Sequence, residues 1–172
     1  MADLKNKNLF IGMEEDVLGF WDKNKIFEKT LDKKSPKGDY VFYDGPPFAT
    51  GTPHYGHLVA SIMKDVVPRF WTMRGYHVDR IWGWDCHGLP IENIVEKDLG
   101  TNTKKEIEEK VGVEKFNKTA RSKVFSYVDE WKKTINRLGR FVDMENSYKT
   151  MDLKFMETVW WVFKQLWDKD LI

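Results

Sequence analysis

The sequence predicts an α/β protein built on a parallel sheet, with one βαβ unit and several additional helices. Three observations carry this. Tyr40, Val41, Phe42 and Tyr43 form a short aromatic and β-branched run suited to a buried strand, and residues 77–82 (HVDRIW) form a second. Between them Val59, Ile62, Met63, Val66 and Phe70 recur at three- and four-residue steps, which puts them on one helix face. A strand, a crossover helix and a second strand make a parallel unit in nearly all cases.

The elements follow in order. A first helix is predicted over 14–29, with Val17, Phe20, Trp21 and Phe27 as its apolar stripe and Glu14, Glu15 and Asp16 in its first turn. Residues 32–38 (DKKSPKG) form a polar link. Past the first strand, Gly45, Pro46, Pro47, Gly51 and Pro53 keep the chain irregular until a helix starts at His57. Pro68 removes the N–H that would bond the Lys64 carbonyl, which predicts a kink. Arg74 and Gly75 end this helix, and Gly83 opens the turn after the second strand. The rest reads as helical. One helix runs over 89–99 to Gly100, and another over 104–111 with Thr103 as cap. A long one over 114–138 carries Phe116, Ala120, Val124, Val128, Trp131, Ile135 and Leu138 on one face and stops at Gly139. In a last helix capped by Asp152, residues Phe155, Val159, Val162, Leu166 and Trp167 are expected to face inward. The organisation is therefore a helical extension (1–38), a βαβ unit (39–100) and a helical segment (101–172), with no internal repeat.

Composition narrows the class. Of 172 residues, 41% are apolar and 32% charged, which is globular rather than disordered. The formal net charge of +1 gives no global attraction to nucleic acid or membrane, and no apolar run approaches the roughly 20 residues that span a bilayer. The N-terminus lacks a secretory apolar core. A single cysteine, Cys86, excludes an internal disulfide, and the expected location is cytoplasmic. Residues 103–140 hold eleven Lys or Arg against six Asp or Glu. That surplus could face an RNA stem, although interspersed charge on a helix more often means a solvated face.

The chemistry concentrates where strand ends meet a helix start. His54 and His57 sit at a helix N-terminus, where unpaired N–H groups and the helix dipole attract anions. Gly56 between them lets a ligand approach the backbone closely. The pair suits a nucleotide triphosphate. In parallel sheets ligands bind beyond the carboxyl ends of the strands, and 44–51 and 84–90 both fall there. Asp85 in that edge can pair with a substrate ammonium, or serve as a plain turn carboxylate. Trp82 and Trp84 read as packing, and Cys86 as a small buried residue. A zinc site drawn from His54, His57, His77, His87 and Cys86 is the sharpest rival. Against it, no Cys-x-x-Cys pair occurs, and the two motif histidines straddle a loop-to-helix junction rather than one helical turn.

These residues carry a resemblance. His54-Tyr55-Gly56-His57 resembles the HIGH signature of class I aminoacyl-tRNA synthetases. Residues 44–51 (DGPPFATG) and 83–92 (GWDCHGLPIE) resemble the isoleucine-specific branch of that family. The resemblance implies an incomplete Rossmann-like sheet, the first part of a class I catalytic domain. It implies condensation of isoleucine with ATP to isoleucyl-adenylate, then transfer to tRNA(Ile), with Mg2+ arriving on the ATP. By resemblance His54 and His57 are catalytic and bind the ATP phosphates, with Gly56 against the adenine. Asp85 takes the isoleucine ammonium, and Gly45 and Pro46 line the same pocket. No metal ligand is assigned.

A KMSKS-like loop, the second signature of the class, is not in the sequence, nor is an editing or anticodon-binding domain. The expectation is thus a fragment of an isoleucine–tRNA ligase, inactive alone and prone to self-association through uncovered apolar faces. The alternative is a stand-alone nucleotide- or zinc-binding module derived from the same fold.

Overall fold

The computed structural model describes residues 3–48 and 51–172; Ala49 and Thr50 of the glycine- and proline-rich stretch lie outside the described residues. Two helices, α1 (Asp3–Lys23) and α2 (Ile26–Asp32), replace the single helix expected over 14–29. The break is chemical. Both the backbone N–H and the side-chain amide of Asn24 donate to the Phe20 carbonyl, and Lys25 turns left-handed at φ 50°. Val17 and Phe20 of the expected stripe are exposed; Trp21 instead turns edge-on to Phe141 at 4.9 Å. Arg80 joins α2 to the centre by donating to the Thr30 hydroxyl at 2.6 Å, and burial pushes its guanidinium down to about 10.

The expected βαβ unit keeps its crossover helix and a shorter, displaced second strand, while its first strand is reduced to two isolated parallel bridges. Residues 39–48 run parallel to 77–85 but join them only at the ends, through bridges Asp39–His77 and Phe48–Asp85. The expected strand at 40–43 forms no ladder. Pro46 and Pro47 have no N–H to give, and residues 40–44 line a cavity of about 570 Å3 with His77, Asp79, Ile81 and Tyr148. The second strand, β1 (Ile81–Trp84), starts later than expected and runs through Gly83. The crossover helix α3 (Tyr55–Met73) passes through Pro68 without interruption. Its C-cap is Arg74, followed by Gly75 at φ 95°, as the sequence predicts.

A strand absent from the sequence reading completes the sheet. β2 (Asp143–Lys149) pairs parallel with β1, with Ile81 opposite Asp143 and Gly83 opposite Tyr148. The ladder is irregular between those two pairs. There the Asp143 carboxylate accepts the backbone N–H groups of Glu145 and Asn146 and the Asn146 amide. Burial opposes the charged form of Asp143, but these bonds outweigh it and hold its pKa below the usual value. Gly83 is required by the register: a Cβ there would lie 2.2 Å from the Tyr148 ring.

The helices after β1 are α4 (Leu89–Leu99), α5 (Lys104–Glu106) with a π turn (Ile107–Val111), α6 (Val113–Val124), α7 (Val128–Arg137) and α8 (Leu153–Trp167). Gly100 and Thr103 cap as predicted. The long helix expected over 114–138 is split by a 3-10 turn (Phe125–Tyr127), where the Ser126 hydroxyl competes for the Lys123 carbonyl. Its apolar stripe nevertheless packs: Val124, Trp131 and Ile135 join Trp82, Trp84, Cys86, Ile91, Met144 and Met151 in the core.

One amphipathic expectation is corrected, and a second face proves uncovered. α8 buries none of its residues, and Phe155, Val159, Val162, Leu166 and Trp167 are all exposed rather than facing inward. Asp152 occupies its N-cap position, but its carboxylate turns back to accept the Lys149 N–H. On α3 the inward face carries Ser61, Pro68 and Thr72, while Val59, Ile62, Met63, Val66 and Phe70 lie exposed on the other. No described helix is long and apolar enough to cross a membrane.

Candidate functional site

The start of α3 is built by its two histidines. His54 is the N-cap in extended conformation, and its Nδ1 accepts the Gly56 N–H at 3.1 Å. His57, one turn on, returns its Nδ1 to accept the His54 N–H at 3.2 Å. This is a capping box made with imidazoles in place of hydroxyl and carboxylate. The rings stack with centroids 3.7 Å apart. A Cβ on Gly56 would sit 3.0 Å from His54 Cε1, so glycine here makes room for the folded-back ring.

The cap decides the chemistry. A ring nitrogen that accepts carries no proton, so each neutral imidazole holds its proton on Nε2, on the side facing away from the helix. Burial lowers the His57 pKa, and the neighbouring His54 and Lys64 charges lower it further. The helix start therefore presents two stacked imidazoles, each with an Nε2–H donor. The first-turn amides are partly used: Gly56 by His54, and His57 and Leu58 by the His54 carbonyl. Anion binding here falls to the imidazoles more than to the backbone.

This arrangement has a pH dependence. Protonating Nδ1 of His57 removes the acceptor for the His54 amide. With its folded pKa depressed, the contribution is present above the ordinary histidine value of 6.5 and is lost as pH falls through the lowered one. Titration of the His57 ring by NMR should give a midpoint below 6.5, with the His54 amide shifting in step. A midpoint above 6.5 would contradict the cap.

The second half of the site lies at the carboxyl end of β1. The Asp85 N–H donates to the Pro47 carbonyl at 2.8 Å, so the 44–48 loop and Asp85 are joined, as the strand-edge argument expects. Lys64 of α3 reaches this loop, with Nζ 2.7 Å from the Gly45 carbonyl and 2.6 Å from Asp44 Oδ1. The Asp44 carboxylate is buried, and it also pairs with the buried Arg140, which donates to Ser61 Oγ at 3.0 Å. Tyr148 stands beside this group. Burial raises its phenol pKa, and the Asp44 and Asp85 charges raise it further. Trp82 and Trp84 pack in the core, and Cys86 is buried with its thiol pKa raised by burial. Among the described residues no three His, Cys, Asp or Glu side chains are grouped to hold a metal ion.

Four contributors escaped the sequence reading as site residues: Lys64, Arg140, Tyr148 and Trp131. Trp131 joins the two halves. It packs against Trp82 and Trp84, faces the His57 ring at 4.8 Å and donates from Nε1 to the Gly51 carbonyl at 2.9 Å. Only its place in an apolar helical stripe was visible beforehand.

A parallel strand edge, a histidine-capped crossover helix and a carboxylate at the next strand end together form the candidate site. The profile described as "tRNA synthetases class I (I, L, M and V)" matches residues 16–172, and the chain belongs to that family. It is 56% identical over 163 residues to an isoleucine–tRNA ligase of Treponema denticola, covering 95% of this chain and 15% of the relative. It is 53% identical over 163 residues to the cytoplasmic isoleucine–tRNA ligase of Arabidopsis thaliana, covering 95% and 14%. Among solved structures, an Agrobacterium radiobacter LeuRS in a ternary complex with tRNA and LeuAMS matches with TM-score 0.60 and 25% identity, over 91% of this chain and 17% of that one. The chain thus spans about one seventh of the length of these curated relatives.

Proposed function

We propose that this chain is the N-terminal part of the catalytic domain of an isoleucine–tRNA ligase. In that enzyme it takes part in activating isoleucine with ATP to isoleucyl-adenylate and pyrophosphate, before transfer to tRNA(Ile). The observation that carries the reading is the pair of Nε2–H donors held at the α3 N-terminus by their own capping bonds. His54 and His57 hold the ATP phosphates and the charge that develops as the isoleucine carboxylate attacks the α-phosphorus. Gly56 lies against the adenine, and Mg2+ arrives with the nucleotide. Asp85 receives the isoleucine ammonium, with Gly45 and Pro46 along the same pocket. The free, buried Cys86 suits a reducing, cytoplasmic setting. The exposed apolar faces of α3 and α8 support contact with further protein, in the remainder of the ligase or in a second copy of the chain.

Isoleucine-dependent pyrophosphate exchange by the full-length ligase carrying this segment tests the reading. Asp85→Asn keeps the shape and removes the charge. It should raise the isoleucine KM by about 100-fold, because losing one partner of a desolvated charge pair costs a few kcal/mol, while the ATP KM changes little. An unchanged isoleucine KM would remove Asp85 from the pocket.

A further inference from the structure

Trp131 lies on α7, in the basic helical stretch, 74 residues beyond His57. It is 1% exposed. Three features of its surroundings concern the site. Its Nε1–H donates to the Gly51 carbonyl, at a residue held left-handed at φ 69°, three residues before the N-cap histidine. Its ring lies against the His57 imidazole, tilted by 58°, with centroids 4.8 Å apart. Its other contacts are Trp82 at 5.9 Å and Trp84 at 6.0 Å, the residues of β1 that lead directly to Asp85. The tryptophan thus touches the approach to the histidine motif, one of its histidines and the strand that carries the carboxylate.

We propose that Trp131 is the positioning residue of the nucleotide site: its indole N–H fixes the loop entering the histidine pair, and its ring fixes the plane of His57, so that the His57 Nε2–H is aimed at phosphate. This rests on the phosphate-binding reading of His54 and His57. The capping bonds alone fix each imidazole's tautomer but leave the box as a whole free to tilt. A rigid indole anchored in the core removes that freedom, and a directed donor displaced by a fraction of an ångström loses much of its effect.

The test compares Trp131→Phe with Trp82→Phe in the full-length ligase. Both remove an indole from the same cluster, but the Trp82 Nε1 has no hydrogen-bond partner to lose. For Trp131→Phe, kcat/KM for ATP in pyrophosphate exchange should fall about tenfold or more below that of Trp82→Phe, with the isoleucine KM within about twofold and matched melting temperatures. If Trp131 acts through His57, combining Trp131→Phe with His57→Ala should cost little beyond His57→Ala alone. Should Trp131→Phe fail to fold, benzothienylalanine at position 131 keeps the volume, removes only the N–H and should give the same loss. Equal ATP kinetics in the Trp131 and Trp82 variants, or full additivity with His57→Ala, would overturn the proposal. If His57→Ala itself leaves ATP kinetics intact, it is the phosphate-binding reading that fails.

Discussion

In the full-length ligase, replacing His57 with asparagine should abolish most pyrophosphate exchange while leaving the start of α3 intact, and replacing it with glutamine should do the reverse. The difference lies in which imidazole nitrogen each amide can imitate. The short asparagine side chain can put its oxygen near the place of Nδ1 and go on accepting the His54 N–H, but it has no donor where Nε2 was. Glutamine reaches further and can put an N–H near the Nε2 position, at the expense of the capping bond. One directed donor onto developing charge is worth about 100- to 1,000-fold in rate. His57→Asn should therefore lose that much with an unchanged melting temperature. His57→Gln should keep a measurable fraction of activity with a lower one. The double variant His54→Ala, His57→Ala should lose about 1,000-fold or more, short of the product of the single effects because the rings act as a unit. The checks are pyrophosphate exchange kinetics and thermal unfolding of the same preparations. Equal activity in the Asn and Gln variants would mean that the imidazoles cap the helix and do nothing else.

The placement of both histidines at a helix start was legible before the fold because its logic is local. A glycine- and proline-broken strand end, an HxGH and a helical period lie within a continuous stretch, and Asp85 follows from the next strand end. Helix ends marked by Gly75, Gly100 and Thr103 were legible for the same reason. What escaped was long-range or concealed by polarity. β2 reads DMENSYK and contains an Asp143 turn, so neither alternation nor β-branching announces it; only pairing with β1 makes it a strand. Residues 40–43 have the right composition, but the prolines and the anchoring of Asp44 draw them out of the ladder. The apolar faces of α3 and α8 obey their periods, yet neither is covered by the described residues, because periodicity states which residues share a face and not whether anything lies against it. Arg140 sat in a stretch that looked like a basic, solvated helical face, and Trp131 showed only as a member of the apolar stripe in that stretch. Their partners lie 47 to 96 residues away in sequence, Trp84 being the nearest to Trp131 and Asp44 the furthest from Arg140, and no local pattern names such partners.

The buried ion network shows how such a contact sets the site. Asp44 and Arg140 are each about 5% exposed at the side chain, whereas Lys64, the third member, is about one third exposed and can turn to water. Arg140→Met should therefore cost about 3 kcal/mol, the low end for breaking a buried pair, because Asp44 keeps the half-exposed lysine. Asp44→Asn should cost as much or more, since it leaves a buried guanidinium without its carboxylate, beside the Ser61 hydroxyl and the Trp82 ring, 5.0 Å away. The double variant should cost clearly less than the sum, with a coupling of about 2 kcal/mol, because neither charge is then stranded. Asp44 directly precedes Gly45 and Pro46, and its loop is tied to α3 through Lys64. Loss of the network should therefore also loosen the proposed isoleucine pocket and raise the isoleucine KM by about tenfold, with the ATP KM less affected. Hydrogen exchange in the full-length ligase, followed at residues 40–48 and 139–144, reads the local opening directly. Strictly additive single variants, or faster exchange at 139–144 with none at 40–48, would show that Arg140 stabilises its own turn and does not hold the loop.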